Sequence, residues 1–184
     1  MEPRPGTLLV SSPELLDPNF ADAVILLVDA DDNGALGVVL NQPTPVLVAD
    51  VLESWRDLVD APEVLHKGGP VATDGALAVA RLRDPDDEPV GFQRCFADIG
   101  LVDLDSPTEL LEGGISSLRI FAGYAGWGAE QLQAEIEEGS WYVVPAEAGD
   151  IFREDATTLR RDVLRRQPGD LAWASTRPVD PMLN

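Results

Sequence analysis

Ala23-Val24-Ile25-Leu26-Leu27-Val28-Asp29-Ala30-Asp31-Asp32-Asn33-Gly34-Ala35-Leu36-Gly37-Val38-Val39-Leu40-Asn41 holds two runs of β-branched and aliphatic residues on either side of an acidic turn. Asn-Gly tolerates positive φ at both central positions of a two-residue loop, so residues 23–29 and 35–41 are expected to pair as an antiparallel hairpin. A short apolar strand, Thr7 to Val10, precedes them. Ser11-Ser12-Pro13-Glu14 carries a serine cap, a proline and an acidic first turn, which predicts a short helix ended by Pro18. After the hairpin, Thr44 and Pro45 read as the start of another helix. Val48, Val51, Leu52, Trp55 and Leu58 would form its apolar stripe.

Further along, Leu65 to Val71 contains the turn cluster Lys67-Gly68-Gly69-Pro70, and strands are expected over Ala76 to Leu82 and Val90 to Phe96. These two are placed to pair across the exposed loop Asp84-Pro85-Asp86-Asp87-Glu88-Pro89. Ser106-Pro107-Thr108-Glu109 has the capping-box pattern of a short helix over 107–112, stopped by Gly113-Gly114. Leu118 to Gly123 reads as a buried strand, Tyr124 to Gly128 as a turn, Ala129 to Glu138 as a helix and Trp141 to Val144 as a strand. Residues 157–166 form a basic helix, and the chain from Pro168 looks loosely ordered. Strands and short helices mix without βαβ alternation. This favours an α+β fold: a single domain over 1–184 with its core at about 6–167, a tail at 168–184, and a mostly antiparallel, partly barrel-like mixed sheet flanked by helices.

The chain has 184 residues, 45% of them apolar and 25% charged, within the range of one ordinary globular domain. Thirty-three acidic residues against thirteen basic ones give a formal net charge of −20. Such a surface repels phosphate backbones, so direct nucleic-acid binding is not expected. The one basic stretch, with Arg160, Arg161, Arg165 and Arg166, reads as a solvated helix face in which Asp162 pairs with Arg166. Lys67 is the only lysine; composition leaves GC-rich coding and salt adaptation equally open as sources of this balance. The longest purely apolar run, Ala23 to Val28, is far too short to cross a bilayer, so a cytoplasmic protein without a membrane partner is expected.

Chemistry-bearing motifs are sparse. Asp29 to Gly34 matches the first half of a calcium loop, D-x-D-x-N-G, but its twelfth position is Leu40 and strands flank it, so it reads as an acidic hairpin turn. One histidine, His66, cannot build a multi-histidine zinc site, and one cysteine, Cys95, forbids a cysteine cluster or an intrachain disulfide. Cys95 reads as a buried small hydrophobe. No metal and no cofactor is expected.

The turn sequences carry more. Gly6-Thr7-Leu8-Leu9, Gly34-Ala35-Leu36-Gly37, Asn41-Gln42-Pro43, Gly68-Gly69-Pro70-Val71 and Gly123-Tyr124-Ala125-Gly126-Trp127 with Gln131-Leu132, Trp141 and Pro145 occur in order. In these the chain resembles the YqgE/AlgH family, also called UPF0301 or DUF179, bacterial proteins without an established biochemical activity. The resemblance covers about Gly6 to Phe152 and is weakest from Arg153. It implies one α+β domain with a partly barrel-like sheet. Some members carry the label of transcriptional regulators linked to alginate production, but the resemblance supplies no DNA-binding motif and no catalytic residues.

Two main functional expectations follow, with indirect participation in transcription through a partner protein as a third. The first is a non-catalytic module that binds a protein or small ligand at a cleft built from Asn41, Pro43, His66, Lys67, Gly68, Gly69, Tyr124, Gly126 and Trp127, with a cation, backbone donors and an aromatic wall. The second is an enzyme using the same cleft, with His66 or Lys67 transferring the proton and backbone N–H groups as oxyanion donors.

Overall fold

The expected hairpin forms, but its loop is Asp32-Asn33 and not Asn33-Gly34, and neither loop residue has a positive φ. Strands β2 (Val24–Asp31) and β3 (Gly34–Val39) pair antiparallel, Asp31 opposite Gly34, with Asp32-Asn33 as the two-residue loop. The computed structural model describes residues 1–15 and 17–176. Around the hairpin lie β1 (Thr7–Ser11), β4 (Pro43–Leu47), β5 (Val64–Lys67), β6 (Val71–Leu82), β7 (Phe92–Phe96), β8 (Ile99–Val102), β9 (Ile115–Gly128) and β10 (Trp141–Pro145). Five short helices complete the described chain: α1 (Val48–Val51), α2 (Gln131–Glu137), α3 (Ala148–Phe152), α4 (Leu159–Arg165) and α5 (Asp170–Ala174). The main strand order is β10-β1-β2-β3-β9-β6-β8-β7, a curled antiparallel half-barrel; β5, paired with β4, also joins β9 in parallel. None of the described helices is long and apolar enough to cross a membrane.

Strand alternation sorts the side chains into three apolar clusters. The concave face gathers Leu8, Val10, Leu26, Val38, Val79 and Phe121 under Ile151, Leu159, Val163 and Leu164 from α3 and α4. Behind β1, β2 and β3, Leu9, Ile25, Leu27, Trp127 and Trp141 pack beneath Leu132 of α2. Behind β6 and β9, Ala78, Ala80, Leu118 and Ile120 meet Val48 and Trp55. Strand β9 serves all three because it carries an irregularity at Gly123, whose φ is +72°. Phe121 and Tyr124, three residues apart, both face the concave cluster, whereas Ala125 and Trp127 face the cluster under α2. One extra residue in a strand shifts the phase of every side chain after it.

Several local expectations are corrected. Residues 12–15 turn without forming a helix, because the Ser12 hydroxyl donates to the Gly139 carbonyl (2.6 Å) and accepts from the Glu14 N–H. Thr44 does not cap a helix: its hydroxyl donates to the Leu65 carbonyl at 2.7 Å and residues 43–47 are taken by β4. The expected long helix shrinks to α1 plus a 3₁₀ turn, Glu53–Trp55. Val48 and Trp55 remain buried while Val51 is exposed. Strands β6 and β7 do not pair with each other, since β8 lies between them. The capping-box segment gives only a 3₁₀ turn, Thr108–Leu110.

At the C-terminal end, Arg160 is buried and donates two hydrogen bonds to the Ser11 carbonyl, so the basic helix is solvated mainly at Arg161 and Arg165. Arg166 reaches Asp150 with both terminal nitrogens (2.7 and 2.5 Å), and Asp162 instead receives Arg153. Residues 170–174, expected within a loose tail, form α5 with Ala174 and the neighbouring Ser175 buried. Residues 177–184 lie outside the described residues.

The glycines test this reading. A Cβ on Gly123 would stand 2.5 Å from the Gly69 carbonyl oxygen at a φ that L side chains rarely adopt, whereas a Cβ on Gly149 in α3 would meet nothing within 4 Å. Gly123→Ala is expected to lose about 3 kcal/mol or more in urea denaturation, and Gly149→Ala to gain up to about 1 kcal/mol.

Candidate functional site

The nine residues singled out in the sequence fall into two groups. Asn41, Pro43, His66, Lys67, Gly68 and Gly69 belong to the crossing of β4 and β5 beside β9. The Asn41 side chain accepts from the Val24 N–H (3.1 Å) and donates to the Asp22 carbonyl (2.7 Å), closing the entrance of β2. Pro43 stands opposite His66 in the β4–β5 pair. The Lys67 N–H donates to the Gln42 carbonyl, and its residue is exposed.

Gly68 and Gly69 are buried, and their backbones touch β9 directly. The Gly68 N–H donates to the Ala122 carbonyl (2.8 Å), and its own carbonyl accepts from the Val39 N–H (2.9 Å). A Cβ would come within 2.3 Å of the Gly123 oxygen at Gly68 and within 2.2 Å of the Tyr124 carbonyl at Gly69. The single cleft expected between the two glycine-rich segments is therefore filled by backbone contact. These N–H groups are not arrayed as oxyanion donors.

His66 is 1% exposed, its ring 5.8 Å from that of Phe121, and its Nδ1 has no partner. Burial drives its pKa down to about 4, the nearby Arg119 guanidinium pushes the same way, and a hydrogen bond to the Val64 backbone opposes both. The imidazole is thus held neutral beside the Phe121 ring. Arg119 is itself 2% exposed and donates to the carbonyls of Asp60, Ala61, Ile151 and Arg153. Cys95 is half-buried and packed against the concave cluster, and burial raises its thiol pKa.

Gly123-Tyr124-Ala125-Gly126-Trp127 is strand, not turn. Residues 125–128 pair with β3: Gly37 with Ala125, Leu36 with Gly126, Ala35 with Trp127 and Gly34 with Gly128. The Trp127 indole is 6% exposed on the face under α2, where it and the Trp141 indole both donate to Glu135 Oε2 at 2.9 Å. Gln131 completes the latch, accepting from the Gly128 N–H (3.0 Å) and donating to Glu135 Oε1 (3.2 Å). The Phe20 ring packs against both indoles, 6.3 and 5.7 Å away.

On the opposite face, Tyr124 and Gly126 line an open groove with Asp29, Asp31, Leu36 and Val71. Registers explain the assembly. Asp29 pairs with Leu36 and Leu36 with Gly126, while Asp31 pairs with Gly34 and Gly34 with Gly128, giving two rows across three strands. Directly paired residues share a face. Among the described residues no basic residue lines this groove. Sequence reading passed over Asp29, Asp31 and Leu36 as site residues, although the i,i+2 spacing of the two aspartates within a strand was a usable signal.

Two outcomes are expected. In the folded protein His66 stays neutral down to about pH 4, while the unfolded chain takes up its proton near 6.5. Acidification between those values therefore removes stability, and the loss levels off below the folded pKa. Wild-type protein should lose about 3 kcal/mol relative to His66→Leu between pH 7 and 4 in urea titrations. Glu135→Ala orphans two indole N–H groups, and a loss of about 2–4 kcal/mol with red-shifted tryptophan emission is expected.

Residues 8–172 match the DUF179 family model, described as AlgH-like, so the match runs through α3 and α4 and past the point where the sequence resemblance was weakest. A UPF0301 protein of Streptomyces avermitilis is 54% identical over 182 residues, covering 97% of this chain and 94% of the relative. The X-ray structure of a Corynebacterium diphtheriae protein superposes with a TM-score of 0.90 at 32% identity, covering 96% of this chain and 93% of that one. The solution structure of AlgH from Pseudomonas aeruginosa gives a TM-score of 0.67 at 26% identity, with 94% and 93% covered. Matched in sequence along nearly all its length and in fold by both structures, the chain belongs to the AlgH-like, or UPF0301, family.

Proposed function

We propose that this protein is a non-catalytic cytoplasmic binding module that acts in regulation through a protein or small-ligand partner, without direct contact to DNA. The observation that carries the reading is the groove on the concave side of β2, β3 and β9. It is an open, partly apolar surface with Tyr124 at its edge, formed where the sheet extends beyond the helices that cover the rest of that face. Binding sites commonly combine such an apolar surface with a few fixed polar groups, here Asp29 and Asp31.

Two further features support it. The enzymatic alternative named His66 or Lys67 as the proton-transfer group; the His66 ring is buried beside Phe121, Lys67 is exposed, and neither residue is in the groove lining. A charge of −20 opposes phosphate contact, and Arg160 and Arg166 of the basic helix are engaged with the Ser11 carbonyl and with Asp150.

The test is native mass spectrometry of the protein purified from its own cells, as wild type and as Tyr124→Ala. A partner mass retained by the wild type and reduced about tenfold or more in the variant is expected, the loss of one aromatic contact being worth that much. A metabolite turned over by the wild type and not by a folded His66→Ala variant would overturn the proposal.

A further inference from the structure

We infer that the concave face of β2, β3 and β9 docks a basic, extended segment of a partner protein; this rests on the binding reading above and names the chemistry of the occupant. The first observation is a contrast among glycines of adjoining strands. Gly34, Gly37 and Gly123 are demanded by the fold, since a Cβ on each would come within 2.2, 2.6 and 2.5 Å of neighbouring atoms. Gly126 is not. Its φ is not positive, and a Cβ there would meet only the Tyr124 ring, at 3.5 Å, an ordinary contact. Gly128, on the same face two residues on, has only the Gln131 side chain within reach, at 3.9 Å. Glycine inside a strand weakens it and is retained where another backbone approaches closely.

The second observation is the shape of the sheet at this point. Pairing of β6 with β9 ends at Val71 opposite Tyr124, so among the described residues no strand pairs with Ala125–Gly128 on the flank away from β3. The floor is thus a side-chain-poor strip with no strand along that flank, where Gln131 Oε1 takes the Gly128 N–H and the strand edge before it is left for an extended segment to approach. The third is charge. Asp29 and Asp31 stand along one wall, Asp32 adjoins them in the hairpin loop, and among the described residues no lysine or arginine lines the groove, on a protein of net charge −20. An acidic or neutral strand would gain nothing from these carboxylates, whereas an arginine or lysine reaches them while a neighbouring cation lies over the half-buried Tyr124 ring.

The experiment uses the full chain and two blocked peptides, one alternating arginine and valine, the other glutamate and valine, followed by backbone amide shifts. The arginine peptide is expected to move the amides of Leu36 and Tyr124 to Gly128. Its affinity should fall about tenfold in Asp29→Asn with Asp31→Asn, yet less than about twofold in Asp86→Asn with Asp87→Asn, which removes the same charge from an exposed loop outside the groove lining. Gly126→Val should abolish these shifts while its thermal melt stays cooperative, and Gly126→Ala provides a milder block should valine disturb the sheet. The inference is overturned if the glutamate peptide moves the same amides, if both aspartate pairs matter equally, or if the folded Gly126 variants bind as the wild type does. Should a cellular partner still be retained in a Tyr124-dependent way while the arginine peptide fails, the binding reading stands and the basic segment alone is rejected.

Discussion

The bare-backbone crossing of Gly68 and Gly69 over β9 is the contact on which the architecture turns. No side chain fits there, because the oxygens of Gly123 and Tyr124 occupy the space a Cβ would need. That closeness lets β5 pair in parallel with the middle of β9 while β3 takes its end and β6 its other flank. The irregularity at Gly123 then hands the strand from one cluster of packed side chains to another. Phe121 and Tyr124 face inward together, and Trp127 is delivered to the opposite surface for its bond to Glu135. A change at this crossing displaces the concave cluster, the tryptophan latch and the groove together.

Buried guanidinium groups do for the helices what the glycines do for the sheet. Arg119 gathers four carbonyls from the 60–61 loop and the end of α3, and Arg160 fastens α4 to the last residue of β1. Burial lowers the pKa of both, which records the desolvation cost of keeping these cations inside. Carbonyl acceptors offset that cost only if every donor is met, and this ties the ends of the chain to one arrangement. Helices α3 to α5 therefore cover one part of the concave sheet, leaving Asp29, Leu36 and Gly126 on an uncovered part.

Elements decided by short-range chemistry were legible in the sequence. The acidic turn fixes its hairpin locally, the Asp31 carboxylate accepting from the Asn33 N–H, although the loop is Asp32-Asn33 rather than Asn33-Gly34; Leu132 with Ile136 places α2 against the sheet. Elements decided by distant partners were not. Thr44 has a cap's identity, but the Leu65 carbonyl lies within reach and a strand results. Strand β8 follows Ala97, a non-glycine residue at a φ of +45°, and its pairing with β6 is a tertiary fact without a local signature. For the candidate site, the segment around Tyr124 and Gly126 was found, while its assignment to a turn was wrong because glycine density resembles turn chemistry. His66 was noticed for its rarity, and its burial depends on β5 lying beside Phe121, which composition cannot disclose.

The same residue type thus carries two unlike messages in this chain. At positions 34, 37, 68, 69 and 123, glycine answers a steric demand made by a neighbouring strand, and that demand accounts for it completely. At position 126 the neighbouring strand makes no such demand, and glycine leaves a patch of sheet lower than its surroundings, between Leu36 and Tyr124. Packing stabilises the first set and gains nothing from the second. On the docking reading proposed above, a strand residue that weakens its own strand while fitting no internal need answers to an occupant from outside the fold, and the carboxylates of Asp29 and Asp31 are the charges placed beside it.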